Sequence, residues 1–232
     1  MTVRLDLSGT PARITIANPG NGNRFTAAMM DEFAEALRAV ESAGSPVLVL
    51  DSEGGDFTFG RDQRERVPGL SKRDNLTKIL TVNDLLSSAS AVTVAAIRGH
   101  AFGFGTGLSL HADLTVAADD AVFAFDEIAH GLAPLVVVAY LAKYVPEKIA
   151  RELVLTGREV SAEEAGRLAV VNRVVPPERV DDEVAELVAG LGKRDPGALR
   201  LIKQYHRDLR DDRETELGQR AVARLADWLD AR

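Results

Sequence analysis

The sequence predicts an α/β core joined to a helical C-terminal part. Two observations carry this. Segments of strand and helix character alternate as far as about residue 135, and most of the remaining chain reads as helix. Several strand candidates are short and almost wholly apolar, the pattern of strands covered on both faces.

At the N-terminus, Val3, Leu5 and Leu7, then Ile14 and Ile16, alternate on either side of Gly9, Thr10 and Pro11, which predicts a hairpin. Asn18 to Asn23, NPGNGN, is a turn-rich loop. Thr26 caps a helix to about Ser42, whose apolar face carries Met29, Met30, Phe33, Leu37 and Val40. Val47 to Asp51 is a buried strand, Glu53 to Asp56 a turn, and Phe57 to Arg61 a brief strand ending at Gly60. Ser71 to Ser88 has helical spacing of leucines and isoleucine, and Val92 to Ile97 is a second apolar strand. Arg98 to Gly107 is a glycine-rich loop that opens a helix ending at His111. Leu114 to Ala117 and Val122 to Phe125 are further strands, and Glu127 to Pro134 is a loop or turn. Leu135 to Leu155 reads as one helix. Ser161 with Glu164 forms a capping box, and Val170 to Val175 is another strand. Helices then cover Arg179 to Leu191, Gly197 to Tyr205 and Glu214 to Ala231. Residues 1–175 are expected to form the core domain and 176–232 a helical region.

Composition limits the function classes. The chain has 232 residues, no cysteine and a net charge of −7. Lack of cysteine removes disulfides, thiol nucleophiles and thiolate metal sites, and fits a reducing compartment. No run approaches a membrane span and the start lacks a signal-peptide core, so a soluble, cytoplasmic protein without membrane partners is expected. An acidic chain gains little from phosphate backbones, so nucleic acid is not an expected partner. The four histidines, His100, His111, His130 and His206, have no metal-ligand spacing, so no metal is expected.

Three motifs bear chemistry. Gly103 to Gly107, GFGTG, fails the dinucleotide pattern because Leu108 stands at the third glycine, and it fails the phosphate-loop pattern because no Lys-Ser/Thr comes after it. It still places backbone amides at a helix start, where an anion is stabilised; tight helix–strand packing is the competing reading. Gly54 to Gln63, GGDFTFGRDQ, is a second glycine-containing bend, and two such loops can supply two converging N–H donors. Glu127 lies among Phe, Ile and Ala, where desolvation raises a carboxyl toward neutrality and suits it to proton transfer; an exposed strand-end glutamate is the alternative. Asp126, its neighbour, points to the other face if the segment is extended.

Together these segments resemble the enoyl-CoA hydratase/isomerase (crotonase) superfamily. The resemblance rests on Asn18 to Thr26, Gly54 to Asp62, Ala95 to Leu108, Ala112 to Ala117, Phe123 to Pro134, Leu155 to Ala165, Val171 to Pro176 and Pro196 to Lys203, in one order along the chain. It implies a crotonase-like spiral of ββα units with a helical C-terminal domain, assembled as a homotrimer or a dimer of trimers. The last helices often cover a neighbouring subunit in this family, so Leu225 and Trp228 are expected at an interface. The implied substrate is a coenzyme A thioester, with no tightly bound cofactor. Its carbonyl would sit in an oxyanion hole of two backbone N–H groups, which fall on Arg61 and Phe104. Members often carry Ala or Gly there; Phe104 would restrict the backbone and narrow the acyl pocket, and the Arg61 side chain would either meet CoA phosphates or be solvated. The same resemblance places Arg24, Phe25, Phe59 and Gly60 around the ligand. Asp62, His100, Gly103, Gly107 and His130 complete the expected substrate-binding set.

Hydratases of this family use two glutamates. Gly107 stands at the first position, and Glu127 retains the second. A single carboxylate can still carry a proton between two carbons, so the pattern resembles the enoyl-CoA isomerases of the superfamily. Asp126 stands where many members have Pro. The alternatives are a hydratase or acyl-CoA hydrolase in which His100 or His130 supplies the missing polar group, and a non-catalytic acyl-CoA-binding member.

Overall fold

The computed structural model describes residues 2–208 and 213–231. In chain order the strands are β1 (Val3–Asp6), β2 (Ala12–Ile16), β3 (Val47–Ser52), β4 (Val92–Ile97), β5 (His100–Phe102), β6 (Leu114–Ala118), β7 (Val122–Ala124), β8 (Val160–Ser161) and β9 (Arg173–Val175). The helices are α1 (Ala27–Ala43), α2 (Lys72–Ser88), α3 (Phe104–His111), α4 (Leu135–Leu141), α5 (Glu147–Thr156), α6 (Ala162–Arg167), α7 (Val180–Gly192), α8 (Pro196–Asp208) and α9 (Arg213–Asp230).

The main sheet has the order β1-β2-β3-β4-β6-β9. β1 and β2 form the expected antiparallel hairpin, with Val3 opposite Ile16. Every later strand joins in parallel. Parallel neighbours need long crossovers, which α1 supplies between β2 and β3, and α2 between β3 and β4. Both faces are therefore covered, and this is why β4 is buried at every residue and β3 is continuously apolar over Val47 to Leu50. A second sheet has the order β5-β7-β8. Thr26, Ser71 and Ser161 each accept a hydrogen bond from an N–H of the helix they begin. At Ser161 half of the capping box is used, because Glu164 turns its carboxylate to Arg158 instead.

Three expectations need correction. Leu135 to Leu155 is two helices, α4 and α5, broken before Pro146, whose ring and missing N–H cannot continue a helix. Phe57 to Arg61 is not a regular strand; it makes isolated bridges, Thr58 to Ala101 and Arg61 to Phe25. The strand near residue 170 spans Arg173–Val175 alone.

Beyond residue 176, α7 packs on β4 and β6, and α9 packs on α2 and α4. Lys203 ties α8 to the core through Asp113 Oδ2, 2.7 Å away, and the Ala91 carbonyl. Leu201, Ile202 and Tyr205 of α8 face outward, each more than half exposed. Leu225 is buried within its own chain, which removes its side chain from the expected interface, whereas Trp228 is partly exposed. Among the described residues no helix is long and apolar enough to cross a membrane.

Candidate active site

The two glycine bends meet. Residues 57–60 are clamped on both sides: the Thr58 N–H donates to the His100 carbonyl and the Phe102 N–H to the Thr58 carbonyl, each at 2.9 Å, while the Phe59 N–H donates to the Gly22 carbonyl at 3.0 Å. The Thr58 hydroxyl donates to the Asn23 carbonyl at 2.7 Å and accepts from the Gly60 N–H at 3.0 Å. Gly60 then turns with φ +75°, a conformation that strains other residues. A Cβ there would lie 2.8 Å from the Phe102 carbonyl oxygen and 3.3 Å from the Phe104 nitrogen. The bend thus delivers residue 61 beside the first amide of α3.

Phe25 pairs with the Gly60 carbonyl and the Asp62 N–H, at 2.9 Å each. Those flanking bonds leave the N–H of Arg61 itself on the other side of the segment. Phe104 begins α3 and has no preceding helical turn to receive its N–H. Among the described residues neither amide has an acceptor. The start of α3 is fixed by Thr106, whose hydroxyl donates within reach of the Ala101 and Ala124 carbonyls at 2.5 and 2.9 Å, and by the Gly103 N–H to the Ala124 carbonyl at 2.8 Å.

Glu127 faces this junction. It sits on a 3-10 turn, Asp126–His130, after β7. Its Oε1 lies 3.0 Å from where a Cβ on Gly103 would stand, so the absence of a side chain at Gly103 is what admits the carboxylate. Its Oε2 is shut from solvent without a hydrogen-bond partner. Burial pushes the carboxyl up to about 7; the neighbouring Asp126 charge adds to the rise, while the Glu127 N–H and His130 moderate it. Asp126 stands beside it: its Oδ1 lies 3.5 Å from the same Cβ position on Gly103, while its Oδ2 lies 2.9 Å from His130 Nε2.

Gly107 faces a residue that the sequence did not single out. The Tyr140 hydroxyl from α4 lies 2.7 Å from where a Cβ on Gly107 would stand. Tyr140 is buried, and its ring centroid lies 4.7 Å from that of His111. Burial first, and the charge of Glu127 second, push its phenol well above the ordinary tyrosine value, so it is a neutral donor. The one sequence signal is compositional: Tyr140 is the single side chain with a polar tip in α4, LVVVAYL.

The other expected ligand residues separate into floor and rim. Phe25 is fully buried and meets Phe104 edge-on at 5.0 Å, so its side chain forms the floor beneath the amides and not a ligand surface. Phe104 is helical with its ring turned into this floor, so it does not strain the backbone. The Arg61 guanidinium is neither solvated nor placed for phosphates. It is buried, donates to the Phe25 carbonyl at 2.8 Å and to Asn75, and lies 3.7 Å from Glu65. Arg61→Met is expected to lower the unfolding free energy in urea by about 1–3 kcal/mol, because those buried acceptors lose their donor. Asp62 accepts from Arg64 and Asn21 and is held below the usual carboxylate range, chiefly by Arg64. Arg24 lies over the Phe59 ring at 4.7 Å, and Phe59 stacks on His100 at 4.8 Å, forming a rim. His100 Nδ1 is engaged by Asp56 at 2.7 Å and His130 by Asp126, so the polar group facing Gly107 is Tyr140 and neither histidine. Among the described residues no group of three or more His, Asp or Glu is placed to hold a metal ion.

Comparison with known proteins gives one consistent result. Residues 8–224 match the family model described as enoyl-CoA hydratase/isomerase. A Thermus thermophilus protein with a provisional enoyl-CoA hydratase name is 33% identical over 202 residues, covering 84% of this chain and 80% of its own. A carnitinyl-CoA dehydratase of Salmonella arizonae is 42% identical over 119 residues, covering 51% of this chain and 46% of its own. The crystal structure of a provisionally named enoyl-CoA hydratase from Thermobifida fusca YX, in complex with acetoacetyl-CoA, has a TM-score of 0.80 at 31% identity, covering 99% of this chain and 94% of that one.

Proposed function

The chain belongs to the enoyl-CoA hydratase/isomerase family, and from that premise we propose that it moves protons on acyl-CoA thioesters, with the N–H groups of Arg61 and Phe104 as the oxyanion hole and Glu127 as the proton carrier. When a proton leaves the carbon next to a thioester, charge flows to the carbonyl oxygen. Donors already aimed at that oxygen stabilise the enolate without reorganising. The observation that carries this reading is the Gly60 turn, which sets residue 61 beside the Phe104 amide while Glu127 Oε1 abuts Gly103 on the same turn. A carboxyl with its pKa near 7 both takes and returns a proton near neutral pH.

The outcome favoured by a single carboxylate is isomerisation. Glu127 takes a proton from C2 of a 3-enoyl-CoA and returns one at C4, and the double bond moves from C3–C4 to C2–C3. The test is double-bond movement in 3-enoyl-CoA by the wild type and by Glu127→Gln; equal rates in the two remove Glu127 from the reaction. A second reading, reversible addition of water to a 2-enoyl-CoA, is supported by Tyr140, which brings a second polar group to Gly107. The name of the Salmonella relative, a dehydratase, points the same way.

We also infer assembly into trimers or dimers of trimers through the C-terminal helices. The apolar outward face of α8 at Leu201, Ile202 and Tyr205 supports it. Ile202→Asp is expected to reduce the mass measured by light scattering to that of one chain; an unchanged mass sinks the inference.

A further inference from the structure

The Arg61 N–H and the Gly60 carbonyl belong to one planar peptide and point to opposite sides of it. The Phe25 N–H donates to that carbonyl at 2.9 Å, and this bond fixes the direction of the Arg61 N–H. The Asp62 N–H returns to the Phe25 carbonyl at the same distance. Whatever holds residues 25–27 against residues 60–62 therefore aims the first of the two oxyanion donors.

The Arg61 side chain does the holding. It is 8% exposed, and its Nη1 donates to the Phe25 carbonyl at 2.8 Å, so the residue grips the segment that orients its own peptide. Two other side chains keep the guanidinium there. Nη2 donates to Asn75 Oδ1, near the start of α2, and lies 3.7 Å from Glu65 Oε2. That same Oε2 accepts from the Ala27 N–H, the first amide of α1, at 2.7 Å. No helical carbonyl precedes that amide, and the positive end of the helix favours a carboxylate. Glu65 thus joins the cation to residue 27, two positions beyond the carbonyl that Nη1 holds. Burial draws the guanidinium pKa down, and the Glu65 charge is the strongest influence opposing it. A buried cation that loses a partner is costly, so without Glu65 or Asn75 the side chain swings toward water and releases Phe25.

We propose that Glu65 and Asn75 are positioning residues for the oxyanion hole: they lock the Arg61 guanidinium, which holds Phe25 and so keeps the Arg61 amide aimed at the thioester oxygen. This rests on the reading that the Arg61 and Phe104 amides bind that oxygen.

The test reads the enolate itself, with acetoacetyl-CoA as the probe and the full chain at fixed pH. The C2 proton of this thioester passes to a base, and the freed electron pair spreads onto the carbonyl oxygens. The resulting enolate absorbs ultraviolet light more strongly than the keto form. Wild type is expected to raise the enolate-to-keto ratio of the bound probe above that in buffer. Glu65→Gln and Asn75→Leu are each expected to cut that rise by about tenfold, less than the loss of a whole donor. Asn75→Asp keeps an acceptor for the guanidinium and is expected to retain the rise, which a purely structural loss does not explain. Should Glu65→Gln fail to fold, the two Asn75 variants decide. A wild-type ratio in Asn75→Leu, or a loss in Asn75→Asp equal to that in Asn75→Leu, overturns the positioning role and leaves the two-amide reading standing. A wild type that does not bind the probe, or binds it without raising its enolate fraction, overturns both.

Discussion

Glu127→Gln is expected to lower proton transfer by about 10²–10⁴-fold, the contribution of one well-placed acid–base group, and at the same time to stabilise the fold above neutral pH. The two effects share a cause. Burial holds the Glu127 carboxyl up at about 7, against an ordinary value of 4.5 that the unfolded chain retains. Below pH 4.5 both states carry the proton, and the group imposes no ionisation cost on folding. Between 4.5 and 7 the unfolded chain has lost the proton while the folded one still holds it, so stability falls as pH rises, and the loss is complete above 7. The gap corresponds to roughly 3 kcal/mol at most. Glutamine does not titrate, so the variant is expected to unfold at a higher temperature than wild type at pH 8, with the gain shrinking toward pH 5. Activity runs the other way: kcat/KM of the wild type rises with pH to a plateau above about 7, where the base is ionised. Melting scans of both proteins across this range and a pH–rate profile check it. A variant equal to wild type in rate, or a melting difference that does not vary with pH, defeats the assignment.

Gly60→Ala is expected to lower kcat by about 10²–10³-fold, the effect of losing one oxyanion donor. The φ of +75° strains any other residue, and the new Cβ would stand 2.8 Å from the Phe102 carbonyl and 3.3 Å from the Phe104 nitrogen. The bend must then move, and with it the Arg61 amide. Strain alone also lowers stability, by about 1–2 kcal/mol. Gly44→Ala separates the two effects, because Gly44 has a φ of +66° but open space around it. That control is expected to lose stability and keep its rate. If both variants lose rate alike, the hole does not depend on the Gly60 turn.

The fold is legible in the sequence where one pattern decides it. Apolar runs such as Val92 to Ile97 are strands covered on both faces, and Thr26, Ser71 and Ser161 mark helix starts by the side-chain oxygen each lends to an orphan amide. The second sheet is legible only in part: β7 falls in the apolar run Val122 to Phe125, but β5 and β8 are three and two residues long, and no periodicity shows over so few. In the site, the desolvation of Glu127 accords with its apolar neighbours in the sequence, but its 3-10 turn has no such signal. His100 and His130 stand close in sequence to the glycine loops. Asp56 and Asp126 engage them, a pairing that depends on folded geometry. Tyr140 lies far along the chain from Gly107, and its approach is set by how α4 crosses α3, which no local pattern encodes.

The division of labour between the elements has a consequence for how relatives of this protein diverge. The two amides belong to bends stitched into the second sheet and to the loop of residues 22–25, so rewriting them disturbs the scaffold around them. Tyr140 rides on a seven-residue helix between Pro134 and Pro146, held to the rest by packing and by the Tyr144 hydroxyl, 3.1 Å from His111 Nδ1. Substitutions on that short segment therefore change what faces Gly107 while leaving the Gly60 bend and the start of α3 as they are.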